Sequence, residues 1–404
     1  MEGFPKRLRA VFAGLVPLLA VSCGGEGGPS ATGASPAGSP PVAVIAASAA
    51  EGEAPLEVEF SALASNDPDG AIAAFRWDFG DGSEPCAGEV VRHVYCLPGT
   101  YTASLTVWDA GGARGAAEAA IRVLEARCPS FAPGVVAGSI EAAEVVEASG
   151  IAASRKNPGV LWVHNDSGDR ARVFAMALDG RHLGTYAISG AAAYDWEDIA
   201  VGPGPEPGES YIFIGDIGDN ARARSSVTVY RVPEPVVDLD EAPAQRAAEG
   251  AVALAMVYPE GPADAECLMV DPVSRDIFIV TKEADGRSRV YRNPYPQPAG
   301  PRANLELVAT LAFGTGALPG SALVTAGDIS PLGNWIILRT YSRAFLWLRA
   351  LDRPVDAAFL AHPCTVPSAS ESQGEAIGFS ADGRAYVTVS EGSHSAVRRF
   401  DRAD

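Results

Sequence analysis

The sequence predicts an all-β protein with two folded parts, and three observations lead to this prediction. Short segments of alternating apolar and polar residues recur along the chain, as expected for strands that bury one face. Its 404 residues include 43 glycines and 31 prolines, which suits many turns between short strands. Apolar residues make up 47% of the chain, enough to build a core. The net charge of −19, without a basic stripe, argues against nucleic-acid binding.

The N-terminus has the pattern of a bacterial export signal. Lys6–Arg9 form a basic segment, and Ala10–Val21 form an apolar run that is too short to span a bilayer. Ala20-Val21-Ser22 is a small-residue cleavage site, so we interpret residues 1–22 as a signal peptide.

A cysteine, Cys23, follows this cleavage site directly. Leu19-Ala20-Val21-Ser22-Cys23 resembles the lipobox of bacterial lipoproteins, although the usual Leu falls one place early, at Leu19. The resemblance implies that Cys23 is lipidated, and Gly24 after it implies an outer-membrane location if the cell has one. Ordinary cleavage after Ser22, which gives a secreted protein, is the alternative. Residues 23–41 are rich in Gly, Ser, Pro and Ala and are expected to be a flexible tether.

Residues 42–126 have the pattern of an immunoglobulin-like β-sandwich. Polar and apolar residues alternate in Leu56–Phe60, Phe75–Phe79 and Tyr101–Val107. Turn residues separate these runs, as in Asp67–Gly70 and Gly80–Gly82. Trp77 and Phe79 lie on one face of their predicted strand, so we expect both side chains in the core.

Three motifs of this segment resemble the PKD (polycystic kidney disease) domain family. They are Trp77-Asp78-Phe79-Gly80-Asp81-Gly82, His93-Val94-Tyr95 and Pro98-Gly99-Thr100-Tyr101. Asp81-Gly82 would supply the positive φ of a tight turn.

Five cysteines remain besides Cys23, and an exported protein can bridge them. Cys86 and Cys96 are close in sequence and are the first choice for a disulfide. Cys128–Cys364 is a second choice, because both residues lie in Pro-containing connections beside strands. Cys267 would then be a free, buried thiol that acts as a small apolar residue.

Residues 129–404 contain five blocks of strands, repeated at intervals of roughly fifty to seventy residues, which favours a β-propeller. The first strand of each block begins near Ser149-Gly150-Ile151, Glu197-Asp198-Ile199, Glu266-Cys267-Leu268, Gly327-Asp328-Ile329 or Glu375-Ala376-Ile377. Fourth strands are predicted at His182–Ile188, Ala251–Tyr258, Leu305–Phe313 and Val355–Leu360. The fifth block lacks one, and Val135–Ile140 could complete it and remove an open edge. Five blades are favoured, and six are the alternative if strands of two blades have been merged in the long second block.

Strand direction predicts where polar residues of this propeller meet. The start of each first strand and the end of each second strand lie at one end, which gives a carboxylate-rich channel mouth. The candidate metal ligands are Glu197, Glu266, Asp328 and Glu375, and the cation that suits them is calcium. The candidate ligand-binding residues are Asn165, Asp166, Asp216, Lys282, Arg339 and Glu391. The alternative is a purely structural role, in which these acids accept hydrogen bonds from neighbouring backbone N–H groups and hold the blades together.

The repeat and the starts of its strands at Glu197, Glu266 and Glu375 weakly resemble bacterial phytase-like and esterase-like propellers. That resemblance implies a calcium-dependent hydrolase of phosphate or other esters, but no complete catalytic set can be matched. We therefore favour an envelope-anchored binding or adhesion protein, without enzymatic activity, whose ligand at the acidic mouth is a glycan, an envelope protein or an anionic small molecule. The hydrolase is the alternative.

Overall fold

The structure is a computed structural model that describes residues 39–314, 320–371 and 373–403. The predicted signal peptide, Cys23 and the tether as far as residue 38 lie outside these residues. Within the described ranges, no helix is long and apolar enough to cross a membrane. The chain divides into two compact units. The first contains the described residues up to Gly52, Leu56–Tyr95 and Gly99–Val123, and the second contains the residues from Leu124 onward together with Glu53–Pro55 and Cys96–Pro98.

The first unit consists of short antiparallel strands, as the alternating pattern predicts. They are β1 (Ala46–Ala47), β2 (Glu51–Glu53), β3 (Leu56–Ser61), β4 (Ile72–Asp78), β5 (Val90–Tyr95), β6 (Gly99–Asp109) and β7 (Arg114–Leu124). One sheet has the order β1-β3-β5, and the other has the order β2-β7-β6-β4.

Aromatic side chains from both sheets fill the core of this unit. Trp77 and Phe79 are buried, which confirms their predicted role. The ring of Phe60 in the other sheet lies 5.6 Å from Trp77 and 5.4 Å from Phe79. Gly82 has a φ of +84°, as expected for the turn between Phe79 and the next strand.

The second unit begins with β8 (Val135–Ser139), and five groups of strands follow. The first two groups are β9 (Ala148–Ala153), β10 (Val160–Asn165), β11 (Arg172–Ala177), β12 (His182–Ile188), then β13 (Trp196–Pro203), β14 (Ser210–Asp216), β15 (Val227–Pro233), β16 (Gln245–Ala248) and β17 (Val252–Val257). The third group is β18 (Ala265–Val270), β19 (Ile277–Thr281), β20 (Arg287–Asn293), β21 (Ala303–Asn304) and β22 (Glu306–Ala312). The last two are β23 (Val324–Ile329), β24 (Trp335–Thr340), β25 (Ala344–Leu348), the helix α1 (Val355–Ala358), β26 (Cys364–Val366), then β27 (Gly374–Phe379), β28 (Ala385–Ser390) and β29 (Ala396–Asp401).

These strands form five sheets, which we call sheets A to E in chain order. Sheet A has the order β9-β10-β11-β12-β16, and sheet B has the order β13-β14-β15-β17-β21. Sheet C is β18-β19-β20-β22, sheet D is β23-β24-β25-β26, and sheet E is β27-β28-β29-β8. β8 therefore completes the last sheet, as predicted for Val135–Ile140. The parallel edge strands β16 and β21 were not predicted.

One predicted strand is wrong. Val355–Leu360 was expected to be the fourth strand of its block, but Val355–Ala358 form α1, and the fourth strand is β26. The helix starts directly after Pro354, whose fixed φ and missing N–H suit the beginning of a helix. An apolar run of this length does not by itself distinguish a strand from a helical turn.

The first strands of the five sheets contact one another in a closed cycle, β9-β13-β18-β23-β27 and back to β9. An apolar cluster lies between each pair of successive sheets. Representative pairs are Trp162 with Ile214, Phe213 with Leu268, Met269 with Ile336, Ile337 with Phe379, and Val387 with Ile151. The all-β fold is thus confirmed, while the five-bladed propeller stays a prediction.

The second unit contains one disulfide among its described residues, Cys128–Cys364, which confirms the second choice of pairing. It joins residues 236 positions apart. Cys267 is a free thiol without exposed surface, and burial raises its pKa well above its ordinary value, so it is packed as an apolar residue. The Cys86–Cys96 bridge stays a prediction.

Candidate functional site

Each first strand of sheets A to E carries a β-bulge at the same position. In the pairing of β13 with β14, Trp196 opposes Asp216 and Asp198 opposes Gly215, so Glu197 has no partner residue. The same irregularity recurs in the other four sheets. The five bulged residues are Ser149, Glu197, Glu266, Thr325 and Glu375. A bulge redirects a side chain away from the regular alternation, and bulges are frequent beside functional sites.

The two hydroxyl residues of this set join neighbouring first strands. Ser149 Oγ donates a hydrogen bond to the carbonyl of Glu197, at 2.5 Å, and Thr325 Oγ1 donates to the carbonyl of Gly374, at 2.9 Å. The three bulged glutamates are buried and use no such backbone partner. They are therefore the members of the set that can serve a ligand.

Glu266 is paired with Lys282, the residue that follows β19. Lys282 Nζ lies 2.7 Å from Glu266 Oε1 and 3.0 Å from the hydroxyl of Tyr341. Burial nevertheless raises the pKa of Glu266 to about 7, against the opposing effect of Lys282. Lys282 thus places one positive charge within a group of carboxylates, opposite Glu266.

Glu375 is buried, and its Oε2 atom has no hydrogen-bond partner among the described residues. Burial raises the pKa of Glu375 to about 7, and the nearby Glu391 raises it further while Lys282 lowers it. A carboxyl with this pKa changes its charge near neutral pH, so it can act as a proton donor or acceptor.

A second group of carboxylates surrounds Glu197. One oxygen atom each from Asp166, Asp195 and Glu197 lie within 4.8 Å of one another. Burial raises the pKa of Asp195 to about 6, and the charge of Asp166 adds to this effect. Burial also raises the pKa of Glu197 well above its ordinary value, with further contributions from Glu266 and Asp166.

These groups interact electrostatically, and we call them together the acidic face. It consists of Asp166, Asp195, Glu197, Glu266, Glu375 and Glu391, with Lys282 and Tyr341. The sequence had predicted that Asp166, Glu197, Glu266, Lys282, Glu375 and Glu391 lie at one end of the fold. The structure brings these six together.

Three of the predicted ligand-binding residues instead form hydrogen bonds or ion pairs with other residues of the protein. Asn165 accepts from the N–H groups of Val146 and Glu147 and donates to Glu144 and Asp169. Asp216 accepts from the N–H groups of residues 194 and 195 and forms a 2.7 Å ion pair with Arg224.

Arg339 is the third such residue. Its guanidinium pairs with Glu371 and donates to the carbonyl of Ala376, at 3.0 Å. Two of its donor groups are therefore used within the protein, and its role as a ligand-binding residue stays a prediction.

Asp328 lies apart from the three bulged glutamates. The bulge of β23 is at Thr325, three residues earlier, so Asp328 is not their equivalent. Its two oxygens accept from the backbone N–H groups of Ile329 and Phe379, both at 2.8 Å. This is the structural alternative foreseen for the acids at strand starts, in which a carboxylate links one first strand to the next.

Two residues of the site were missed in the sequence. Asp195 lies two positions before Glu197, and this spacing was the available signal. Tyr194 is 70% exposed, and the guanidinium of Arg224 lies 4.9 Å from the centre of its ring. The ring is thus open to solvent next to Asp195, one of the clustered carboxylates.

Comparison with known proteins identifies the first unit. Residues 38–123 match the family model of the PKD domain, which confirms the resemblance. Collagenase ColA of Clostridium perfringens is 38% identical over 69 residues, which are 17% of this chain and only 6% of the collagenase. The PKD1 domain of Vibrio anguillarum Epp is 29% identical and matches 22% of this chain and 100% of that domain, with a TM-score of 0.20.

Some solved structures cover most of the chain, one of them 89% of it. It is an auxiliary nutrient binding protein from Bacteroides thetaiotaomicron, which is 9% identical and matches 89% of this chain and 98% of that one. Its TM-score of 0.33 is too low to support an argument about fold or function.

Proposed function

We propose that this protein is exported, anchored to the cell envelope through a lipid on Cys23, and binds a polyhydroxylated ligand, a glycan, at the acidic face. The second unit is a five-bladed β-propeller that presents this face, and the PKD domain is a spacer or adhesion module. Calcium bridges the face to the ligand. The signal peptide supports export, and so does the Cys128–Cys364 disulfide, because disulfides persist in oxidising compartments.

The arrangement of the five sheets supports the propeller. Their first strands contact one another in a cycle, and each carries its bulge at the same position. β8 pairs with β29 and so supplies the fourth strand of sheet E, which joins the beginning of this unit to its last sheet. A ring of repeated sheets has this organisation.

The single observation that carries the glycan proposal is the exposed ring of Tyr194 next to Asp195, a half-buried carboxylate of the acidic face. A sugar ring has an apolar face, which can pack on an aromatic ring, and hydroxyl groups, which donate to carboxylates. Tyr194 and Asp195 are consecutive, and Asp216 binds the backbone N–H groups of both, so the ring and the carboxylate are held together. Calcium accepts hydroxyl oxygens in the positions that protein carboxylates leave open.

Affinity electrophoresis tests this proposal. The full chain is run in native gels that contain soluble neutral or uronic-acid polysaccharides, with calcium or with EDTA. We expect at least one polysaccharide to slow the protein in calcium only, and Tyr194→Ala to abolish the effect. Leu360→Ala is the matched control, because it also removes a large apolar side chain that is exposed to solvent. The same migration with and without every polysaccharide would contradict glycan binding.

A calcium-dependent hydrolase is the second candidate, and the raised pKa values of Glu266 and Glu375 favour it. Carboxyls that titrate near pH 7 suit general acid–base catalysis. Calcium-dependent turnover of p-nitrophenyl phosphate or acetate that Glu375→Gln abolishes would support this candidate. If the wild-type protein turned over neither substrate, the hydrolase would be contradicted and the binding protein would remain the proposed function.

A further inference from the structure

We propose that Asp166, Asp195 and Glu197 form a divalent-cation site at the edge of the acidic face, where sheet A meets sheet B. This inference rests on the proposed function and names the residues that hold its cation. One oxygen from each residue lies within 4.8 Å of the others. Oxygens that share one Ca²⁺ ion at 2.3–2.6 Å are at most about 5 Å apart, so a single ion can contact all three.

The carboxylate of Glu197 supplies an independent reason to expect a cation. Glu197 is only 3% exposed, and no described residue donates a hydrogen bond to its side chain or forms an ion pair with it. Lys282 lies in the same face, but its ammonium group binds Glu266 and Tyr341. A buried carboxylate without a donor or counter-ion is costly, and native proteins normally pair such a group or use it to bind a metal.

Gly218 creates the space in front of these carboxylates. A Cβ atom at this position would lie 2.2 Å from Glu197 Oε1 and 2.5 Å from Asp195 Oδ2. Any other residue at position 218 would therefore push both carboxylates away from their present places. The N–H of Gly218 donates to the carbonyl of Asp195, at 3.2 Å, which fixes the loop against the start of β13.

The last residue of β14, Asp216, also fixes the backbone of Asp195. Asp216 accepts from the N–H of Asp195, at 3.3 Å, and its own charge is balanced by Arg224. Asp216 is thus a positioning residue, and it is not available as a fourth ligand. The three proposed ligands come from two places, since Asp166 directly follows β10 whereas Asp195 and Glu197 lie at the start of β13.

The chemistry of the site favours calcium. All three donors are carboxylate oxygens, without histidine or cysteine, which suits a hard cation rather than zinc. Three carboxylates fill only part of the six to eight positions that Ca²⁺ prefers. Asp166 and Asp195 are half-buried, so the remaining positions face solvent and can accept water or the hydroxyl groups of a ligand.

Isothermal titration calorimetry of the full chain with calcium chloride tests the site directly, without any glycan. We expect wild-type protein to bind calcium, and Glu197→Gln and Asp195→Asn to weaken binding by on the order of a hundredfold, since even indirect partners of metal ligands cost 10–100-fold. Gly218→Ala should have a similar effect. The control is Asp240→Asn, which removes an exposed acid from a loop and should bind calcium normally.

If the melting temperature of Glu197→Gln without calcium is at least that of the wild type, its loss of calcium binding does not result from unfolding. We expect this result, because the change removes an uncompensated buried charge. No binding heat from the wild type, or the same affinity in Glu197→Gln, would overturn the site. If Glu266→Gln alone abolished binding, the cation would lie on Glu266, and this would also overturn it.

The calorimetry and the affinity electrophoresis test the cation site and glycan binding separately. Calcium binding that Glu197→Gln abolishes, without retardation by any polysaccharide, would support the cation site and contradict the proposed function. If polysaccharides slowed the protein in calcium, and Glu197→Gln and Asp195→Asn left this retardation unchanged, glycan binding would be supported and the cation site at these residues would be contradicted.

Discussion

Two consecutive acids of β13, Glu197 and Asp198, are both buried but have opposite environments. The carboxylate of Asp198 accepts from the N–H groups of Ile199 (2.8 Å), Leu268 (2.9 Å) and Gly327 (3.4 Å), which belong to three different first strands. The carboxylate of Glu197 accepts no hydrogen bond from a described residue. Burial alone therefore does not separate these two acids, whereas the number of hydrogen-bond donors to each carboxylate does.

The same contrast recurs between β23 and β27. Asp328 accepts from two backbone N–H groups, one of them in β27, whereas Glu375 Oε2 is buried without a donor. The aspartates link neighbouring sheets through backbone N–H groups, whereas no described backbone N–H group donates to the side chains of the bulged glutamates. Three expected results test this division, from the largest effect to the smallest.

The largest effect is expected for Asp198→Ala. The change leaves three buried backbone N–H groups without their acceptor, and each such loss costs about 1–3 kcal/mol, so the free energy of unfolding should fall by about 3 kcal/mol or more. Glu197→Ala, at the neighbouring position, should change it by less than about 1 kcal/mol. Urea unfolding measures both values, and an equal loss in the two variants would contradict the division.

A smaller effect is expected for Lys282→Met. This change removes the partner of Glu266, and a lone buried carboxylate must either stay charged or take up a proton. At pH 8 the free energy of unfolding should fall by about 2 kcal/mol, and at pH 5 by less, because Glu266 is then protonated in the folded protein. The double variant Lys282→Met/Glu266→Gln should recover most of the loss at pH 8. If it recovered nothing, the stability contributed by Lys282 would not depend on Glu266.

The smallest effect concerns the pH dependence of stability without divalent cations. The groups that act on Glu375 are Lys282, Glu391, Tyr341 and Arg339, and Glu266 lies beside it. Because the pKa of Glu375 is raised to about 7 in the folded state, its contribution is fully present below its ordinary pKa of 4.5 and is lost as the pH rises through 7. Glu375→Gln should therefore reduce the loss of stability between pH 5 and pH 8 by on the order of 1 kcal/mol.

Thermal unfolding of wild type and Glu375→Gln across this pH range measures that difference. Glu391→Gln is the matched control, since this residue is half-buried and should change the slope less. Parallel curves for wild type and Glu375→Gln would mean that Glu375 titrates normally.

The strands and their grouping could be predicted from the sequence because each strand carries its own alternating or apolar pattern. The failure at Val355–Leu360 shows the limit, since a short apolar run after a proline can form a helical turn. The bulges were not predictable, because an extra residue in one strand is defined only by its pairing with the next. That is why Asp328 was grouped with Glu197, whereas the structure places Thr325 at the equivalent position.

For the site, the sequence predicts only that the polar residues at the ends of the strands lie close together. Asn165, Asp216 and Arg339 carry suitable chemistry, but their partners come from distant or adjacent loops that a sequence does not pair with them. Asp195 was missed for the opposite reason, because it becomes a candidate only when Asp166 is brought beside it from another sheet.

The pairing of β8 with β29 has a consequence for how the second unit folds. Sheet E needs Val135–Ser139, which is made early on the ribosome, and Ala396–Asp401, which is made more than two hundred residues later. Contacts between such distant segments slow folding, because a long stretch of chain must be ordered before they form. Sheet E can therefore be completed only after the chain has been made as far as Asp401, and β8 has no partner strand until then.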